Sequence, residues 1–350
     1  MKNKILLATA VAVACGAPVA AMADANIYGQ LRYSINSMDS DTATDPLATG
    51  VRDGLSGEDN VSLFGLKASV GDDVKAFVHL QTGAAADGNG GRAFNQRFYF
   101  GGLKGGFGTV AYGRMTNAYK MPGFKLDPFY NMSHVGAGGT LQTGLATYGL
   151  SPATNGFTDN AVQYTSPAMA GLKVNVGMYV DDSNEDDHGS NVGVSYSAGG
   201  LNAGIQMASN AKTAQTVPGV IADGDAMRIH GGYKGGNWSA GLSYEVVDLS
   251  ATTDANYMYL VGKYSMSKET ELVLSMGSVS DGPTAGTGYN GAVFQTVAPK
   301  TQVYVMYSAA SLDAARLAVA DNPLTPLVDE TVTAIGESPS VFSVGAIHKF

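Results

Sequence analysis

The chain contains 350 residues, with a formal net charge of -9, 45% hydrophobic and 15% charged residues, and 46 glycines. Soluble domains usually carry about 25% charged residues and about 7% glycine, so this chain is poor in charge and rich in glycine. Its ordinary hydrophobicity argues against intrinsic disorder. The excess of 30 acidic over 21 basic residues argues against a nucleic-acid partner, because no basic surplus is present to neutralise phosphates. This balance is typical of an extended, many-stranded β protein.

The start of the chain has the three parts of a secretory signal peptide. Lys2 and Lys4 form a positively charged beginning, a short apolar run follows, and a small-x-small cleavage site ends at Ala23. We therefore predict a signal peptide over residues 1–23 and a secreted mature chain over residues 24–350.

The mature chain offers little for catalysis or metal binding. The chain's only cysteine, Cys15, falls within the predicted signal peptide, which excludes disulfides, thiolate metal sites and cysteine nucleophiles. The five histidines are scattered without the spacing of metal ligands. The acidic run Asp181 to Asp187 lacks the glycine of a calcium loop, so it is either a solvated loop or a loose divalent bridge to lipopolysaccharide. We predict no cofactor, no metal site and no enzymatic activity.

After residue 23 the sequence consists of segments in which apolar and polar residues alternate. No stretch reaches the 18 or so consecutive apolar residues that a membrane helix needs. In the first segment Ile27, Leu31 and Ile35 share one face, and polar residues share the other. The segments Leu172 to Val180 and Trp238 to Val246 repeat this pattern. A period of two with one apolar face is typical of a half-buried β-strand.

Short turns and long loops alternate between 16 such segments. The eight predicted long loops are Asp39 to Asp59, Thr82 to Ala93, Met115 to Asp159, Asp181 to Ser190, Ala208 to Asp225, Asp248 to Ala255, Ser278 to Tyr289 and Ala309 to Pro339. A soluble β-sandwich or propeller also has alternating strands, but an entirely polar second face fits a water-filled lumen better. The sequence therefore predicts an all-β fold, a sixteen-stranded antiparallel transmembrane β-barrel.

Five stretches of the chain stand out by their order and spacing. They are ANIYGQLRYSI at Ala25 to Ile35, SLFGLKASVGDDVKAFVHLQTG at Ser62 to Gly83, RFYFGGLKGGFGTVAYGR at Arg97 to Arg114, DNAVQYTSP at Asp159 to Pro167, and the closing GAIHKF. Together they resemble the Gram-negative trimeric porins of the neisserial and burkholderial type. The chain departs from the family pattern at Phe157-Thr158, where a basic residue is usual, and at Ile347, where arginine is usual. Its aromatic last residue, Phe350, resembles the assembly signal of bacterial outer-membrane barrels.

The resemblance implies a homotrimer in the outer membrane, in contact with lipid and lipopolysaccharide, with the long loop after strand five folded into the lumen as a constriction. Residues 115–159 occupy that place and carry several aromatic rings. Asp127 is the only carboxylate in the loop's interior, and we expect it to face a basic wall across a water-filled gap. A lid outside the barrel is the alternative for a loop of this length.

Strand parity predicts the opposing wall. Basic and polar side chains share the polar face of the first four strands, namely Arg32, Lys67, Lys75, Arg97, His79, Gln81 and Tyr99. Each of them alone could be a solvated lumen residue, but as a cluster they fit the basic wall of the family. Arg114 shares parity with apolar residues, so it reaches the lumen only if Gly113 allows a bulge or the strand ends there.

These features predict an outer-membrane porin, a water-filled channel for the passive diffusion of small hydrophilic solutes and ions. Basic side chains that line a channel select by charge, so we expect a weak preference for anions. One alternative is a substrate-specific channel with an aromatic-lined constriction. Another is a structural or adhesive surface barrel with a blocked lumen.

Overall fold

The computed structural model describes residues 24–39, 54–84, 93–130, 132, 149–151, 157–180, 188–209, 225–250, 253–281, 285–313, 316–320, 331–335 and 338–350. The predicted signal peptide, the acidic run 181–187 and part of the predicted constriction loop lie outside the described residues. Within the described ranges, no helix is long and apolar enough to cross a membrane.

Strands dominate the described chain. They are β1 (Asn26–Asp39), β2 (Gly54–Asp59), β3 (Leu63–Val70), β4 (Val74–Ala84), β5 (Ala93–Gly105), β6 (Gly108–Met115), β7 (Thr158–Thr165), β8 (Leu172–Tyr179), β9 (Gly189–Ala198), β10 (Leu201–Ser209), β11 (Ala226–Gly235), β12 (Trp238–Ser250), β13 (Thr253–Ser265), β14 (Thr270–Ser280), β15 (Gly286–Ala298), β16 (Thr301–Leu312), β17 (Arg316–Ala320), β18 (Thr331–Ile335) and β19 (Ser340–Lys349). A short helix, α1 (Lys120–Leu126), lies between β6 and β7.

The strands form a closed antiparallel barrel of sixteen strands, as the sequence predicts. Strands β2 and β3 both pair with β1 and form one barrel strand, which is interrupted at residues 60–62. Strand β19 pairs with β16 on one side and with β1 on the other, which closes the cylinder. Strands β17 and β18 pair only with each other, as a separate hairpin within the last long loop.

The two faces of each strand have the predicted polarity. On β1 the apolar side chains of Ile27, Leu31 and Ile35 are exposed on the outer surface, whereas Ser34 and Asn36 are buried on the inner surface. An outer surface of aliphatic and aromatic side chains is compatible with lipid, and a polar inner surface is compatible with a water-filled lumen.

Several strands extend beyond the predicted boundaries. The predicted loop Asp248 to Ala255 is largely strand, because Asp248 pairs with Asp254 and Ser250 pairs with Thr253. In this extension Asp248 and Asp254 are exposed and Val247 and Ala255 are buried, so the polarity of the two faces is the reverse of that in the rest of the barrel. Helix α1 and the β17–β18 hairpin were likewise not expected from the sequence.

The barrel closes at the carboxyl terminus. The backbone N–H of Phe350 donates to the Gly29 carbonyl at 3.0 Å, and the Gly29 N–H donates to the Phe350 carbonyl at 3.2 Å. The Phe350 ring lies over Gly29 so closely that a Cβ on that residue would be 2.2 Å from the ring Cζ atom. The last residue therefore extends the β1–β19 ladder by one pair and covers the glycine on the outer surface.

We expect deletion of Phe350 to lower the yield of folded barrel in the outer membrane. The deletion removes two backbone hydrogen bonds, each worth about 0.5–1.5 kcal/mol net, at the seam where an unpaired edge is most costly. The measurement is the folded fraction in outer-membrane extracts, judged by resistance to dissociation in detergent. Phe342→Leu, on the outer face of the same strand, is the control, and a wild-type yield for the deletion would contradict the expectation.

Candidate functional site

The described part of the loop between β6 and β7 packs against the inner face of the barrel. Phe129 and Met132 belong to a buried apolar cluster with Tyr259 of β13 and Phe294 of β15. The rings of Phe129 and Phe294 are 6.4 Å apart between centroids. Burial of these apolar side chains holds the loop on the β13–β16 side of the lumen.

A buried ion pair fixes the loop next to this cluster. Arg228 on β11 donates from Nη2 to Oε2 of Glu245 on β12 at 2.7 Å. Arg228 also donates from Nη1 to the backbone carbonyl of Tyr119 at 2.9 Å, and the Tyr119 hydroxyl donates to Glu245 Oε1 at 2.9 Å. The backbone N–H of Ser151 donates to Glu245 Oε2 at 3.1 Å. Two separate parts of the loop are therefore bound to one pair of strands.

Asp127 lies between the loop and β13. One carboxylate oxygen accepts hydrogen bonds from the Phe129 backbone N–H at 2.8 Å and from the Tyr259 hydroxyl at 3.0 Å, and the residue is buried. Asp127 interacts electrostatically with Arg32. The structure therefore places the Asp127 carboxylate against the wall that carries the loop, where it acts on Arg32 through space.

Arg32, on the inner face of β1, contacts the loop directly. Its Nη2 atom donates to the backbone carbonyl of Tyr130 at 3.2 Å. Arg32 and Arg97 also interact with each other electrostatically. The two arginines therefore share one region of the lumen beside the loop.

Arg97 reaches the lumen because β5 contains a bulge. Gln81 pairs with Phe98 and Thr82 pairs with Gln96, so Arg97 has no partner on β4. Its Nε atom donates to Oε1 of Gln81, an inner-face residue, at 2.9 Å. Strand parity predicts Tyr99 on the same face as Arg97, which is wrong: Tyr99 is exposed on the outer surface, and the bulge changes the alternation between the two residues.

Arg114 follows a second break in the alternation. Gly113 has a φ of 131°, in the region that favours glycine, and the β6–β7 register shifts between Gly113 and Met115. The Arg114 guanidinium donates to the Asp159 carboxylate at 2.5 Å and lies 5.4 Å from the centre of the Phe157 ring.

Three cationic side chains converge on Phe157. The Arg97 guanidinium lies 5.0 Å from the ring centroid, and the Lys120 ammonium lies 5.1 Å from it. Burial, and to a smaller extent the neighbouring Arg97 guanidinium, lowers the pKa of the Lys120 ammonium to about 7. We call Arg97, Arg114, Lys120 and Phe157 the cationic cluster.

The remaining predicted wall residues lie at two places. Lys67 on β3 lies over the ring of Tyr28 at 4.8 Å, and Gln81 donates to the Tyr28 hydroxyl at 2.8 Å, so a chain of contacts leads from Lys67 to Arg97. Lys75, in contrast, lies beside the short β3–β4 turn and forms an exposed ion pair with Asp24 at 3.0 Å. The structure brings Arg32, Lys67, Arg97 and Arg114 toward one region, and it does not bring Lys75 there.

The residues that hold the loop are not among those predicted from the sequence. Arg228 and Glu245 form a directly opposed cross-strand pair, and the same register joins Gly235 and Trp238 at the turn. The register could have been counted back from the predicted Gly235-Gly236-Asn237 turn, and it would have placed the two charges opposite each other. Lys120 and Phe157 carry no such signal, because they lie in a loop whose path depends on tertiary contacts.

Comparison with known proteins identifies the family. Residues 8–315 match the family model described as Gram-negative porin. The chain belongs to the Gram-negative porin family. It is an outer-membrane protein, and the function of the family is passive diffusion of solutes through the channel. Within the described residues, no group of three or more His, Cys, Asp or Glu side chains could hold a metal ion.

Named relatives and solved structures agree with this assignment. Major outer membrane protein P.IB of Neisseria lactamica is 27% identical over 305 residues, which cover 84% of each chain. The protein of the same name from Neisseria gonorrhoeae is 30% identical over 206 residues, 57% of this porin and 55% of the relative. An anion-selective porin from Comamonas acidovorans superposes with a TM-score of 0.69 at 18% identity, covering 93% and 99% of the two chains. The trimer form of OmpT, an outer membrane protein of Vibrio cholerae, superposes with a TM-score of 0.62 at 17% identity, covering 93% and 99%.

We expect Glu245→Gln to loosen the loop, because it leaves the buried Arg228 guanidinium without its counter-ion. Removing one partner of a buried ion pair costs about 3–5 kcal/mol. Planar-bilayer recordings should show closure at lower voltage and a noisier open state, and the folded barrel should melt at lower temperature.

Two further variants make this measurement specific. Glu271→Gln, at the start of β14 beside a short turn, should behave as wild type. The double variant Arg228→Met with Glu245→Leu removes both charges and should recover part of the lost stability. Equal gating in Glu245→Gln and wild type would show that the ion pair does not hold the loop.

Proposed function

We propose that this porin is a homotrimeric, non-enzymatic diffusion channel with a weak preference for anions. The loop of residues 115–159 acts as its constriction, and Arg32, Lys67, Arg97 and Arg114, joined by Lys120 of the loop, form the charged lining. The observation that carries the proposal is the convergence of Arg97, Arg114 and Lys120 within 5.0–5.4 Å of one ring in the lumen. Small hydrophilic solutes and ions are the transported species, and lipid and lipopolysaccharide surround the barrel.

The balance of charges near the loop supports anion preference. Arg114 is paired with Asp159, and Asp127 faces β13. Among the described residues, Arg97 has no carboxylate within ion-pair distance, and its hydrogen bond goes to the neutral side chain of Gln81. A cation without a paired carboxylate attracts anions into a channel. The similarity to an anion-selective porin is consistent with this proposal.

Two observations support the other parts of the proposal. The similarity to a trimer form of an outer membrane protein supports the homotrimer. Many aliphatic and aromatic side chains on the outer surface are exposed in the single chain, and lipid and neighbouring subunits would cover them. A substrate-specific channel is the second candidate, and the rings around the cationic cluster favour it.

We expect Arg97→Gln to reduce the preference for chloride over potassium by about twofold to fivefold. A unit charge at about 4 Å contributes about 1 kcal/mol in water, which sets this range. The measurement is the reversal potential of single channels under a potassium chloride gradient.

The matched control is Lys75→Gln, which removes the same charge at the short-turn end of the barrel and should leave the reversal potential unchanged. If the two variants changed the reversal potential equally, Arg97 would not be the residue that determines the ion selectivity. Large ohmic steps in wild type support a diffusion channel, whereas a protein without conductance would support a surface role.

We expect the anion preference to fall as the pH rises from about 6 to about 8. Lys120 has a pKa lowered to about 7, so it is charged below that pH and neutral above it. The measurement is the reversal potential across this pH range at constant salt. Lys120→Met should abolish the dependence, and a wild-type response in that variant would assign the titration to another group.

A further inference from the structure

The cationic cluster borders an aromatic surface on the inner face of β4 and β5. The Phe98 ring meets the Phe157 ring at 5.3 Å and the His79 ring at 4.9 Å between centroids. Phe100 continues the row, 5.9 Å from Phe98 and 5.1 Å from His79. These side chains are half-buried, so part of each ring remains exposed on the inner face.

The charged and aromatic surfaces meet at one residue. Phe157 contacts Phe98 and is also approached by the Arg97 and Arg114 guanidinium groups. A molecule that lies against this junction meets hydrogen-bond donors and ring faces within one small area. The hydrogen bond from Arg97 Nε to Gln81 fixes the guanidinium group. Its terminal nitrogens can then form a bidentate contact with a carboxylate.

This combination distinguishes solutes by chemical class. Inorganic anions can use only the cations, and neutral aromatic solutes can contact the rings and the guanidinium groups but cannot form an ion pair. An aromatic carboxylate uses both, because its carboxylate accepts from Arg97 while its ring packs on Phe98 and Phe157. An aliphatic carboxylate of the same size keeps the charge interaction but loses the aromatic contact and the attraction between guanidinium and ring.

We propose that Arg97, Arg114, Phe98 and Phe157 form a subsite that retains aromatic carboxylates in preference to aliphatic anions during their passage through the pore. The proposal rests on the proposed function as a diffusion channel and adds the solute class that its lining favours. The subsite differs from a uniform anion-selective lining, because discrimination between two anions of equal charge depends on the rings.

The experiment compares benzoate with cyclohexanecarboxylate, which have the same charge and nearly the same size. Single channels in planar bilayers carry chloride, and each carboxylate is added at increasing concentration until it reduces the current. We expect benzoate to block at a concentration about threefold to tenfold lower than cyclohexanecarboxylate, the range expected for one or two aromatic contacts. Equal block by the two anions in the wild-type porin would falsify the proposal.

Variants assign the discrimination to the subsite. Phe157→Leu keeps an apolar side chain at the same place and should make the two carboxylates equal, whereas Phe157→Tyr should retain the preference for benzoate. Arg97→Gln should weaken the block by both carboxylates about tenfold, because it removes the charge that they share. Phe342→Leu, on the outer surface, should change neither value. A preference for benzoate that persists in Phe157→Leu would overturn the assignment.

The controls separate this proposal from the proposed function. A wild-type protein without ohmic chloride conductance would contradict the diffusion channel itself. Ohmic conductance with equal block by benzoate and cyclohexanecarboxylate would leave the diffusion channel intact and remove only the aromatic subsite. A purely structural role for Phe157, as an anchor of the loop end, predicts altered gating in Phe157→Leu with no change in the ratio of the two blocking concentrations.

Discussion

The exclusion of water from the lipid core is the constraint on which the rest of the structure depends. A backbone N–H or C=O group without a partner costs several kcal/mol there, so every strand must be paired on both sides. The pairing of β1 with both β19 and the β2–β3 strand meets this requirement. Closure also fixes two environments, lipid outside and water inside, and the alternation of apolar and polar residues in each strand follows from them.

The water-filled lumen provides space for the loop between β6 and β7 inside the barrel. A segment inside the barrel needs partners for its own polar groups, and the Arg228–Glu245 pair supplies both a donor and an acceptor to Tyr119. The desolvation of both charges opposes the pairing, and the added hydrogen bonds offset part of that cost. Burial of Phe129 against the neighbouring β13–β16 wall contributes the apolar part of the attachment. The loop is therefore positioned by a few specific contacts on β11, β12 and the β13–β16 wall.

The sequence predicted the barrel well because its signal repeats in every strand. Ile27, Leu31 and Ile35 lie on the outer surface, as their period of two requires. The prediction was poorer where acidic residues lie on the exposed side of the strands, as in the extension of β12 and β13 through Asp248 and Asp254. The site was predicted only in part. Strand parity identified Arg32 and Lys67, but it could not show that Lys75 lies near Asp24 at the end of the barrel. Position along the strand, as well as parity, determines which lumen residue reaches the loop.

Irregular strand geometry explains why the two remaining arginines belong to the cluster. A strand that alternates regularly would place Arg97 on the same face as Tyr99, which is exposed to the outside. The extra residue in β5 changes the direction of Arg97, and the register shift after Gly113 interrupts the alternation at Arg114. Bulges commonly redirect a side chain at the rim of a barrel, and they disturb the ladder locally. In this porin two such disturbances, on adjacent strands, bring the guanidinium groups to one ring, so the charge of the lining depends on backbone irregularities that the residue pattern does not reveal.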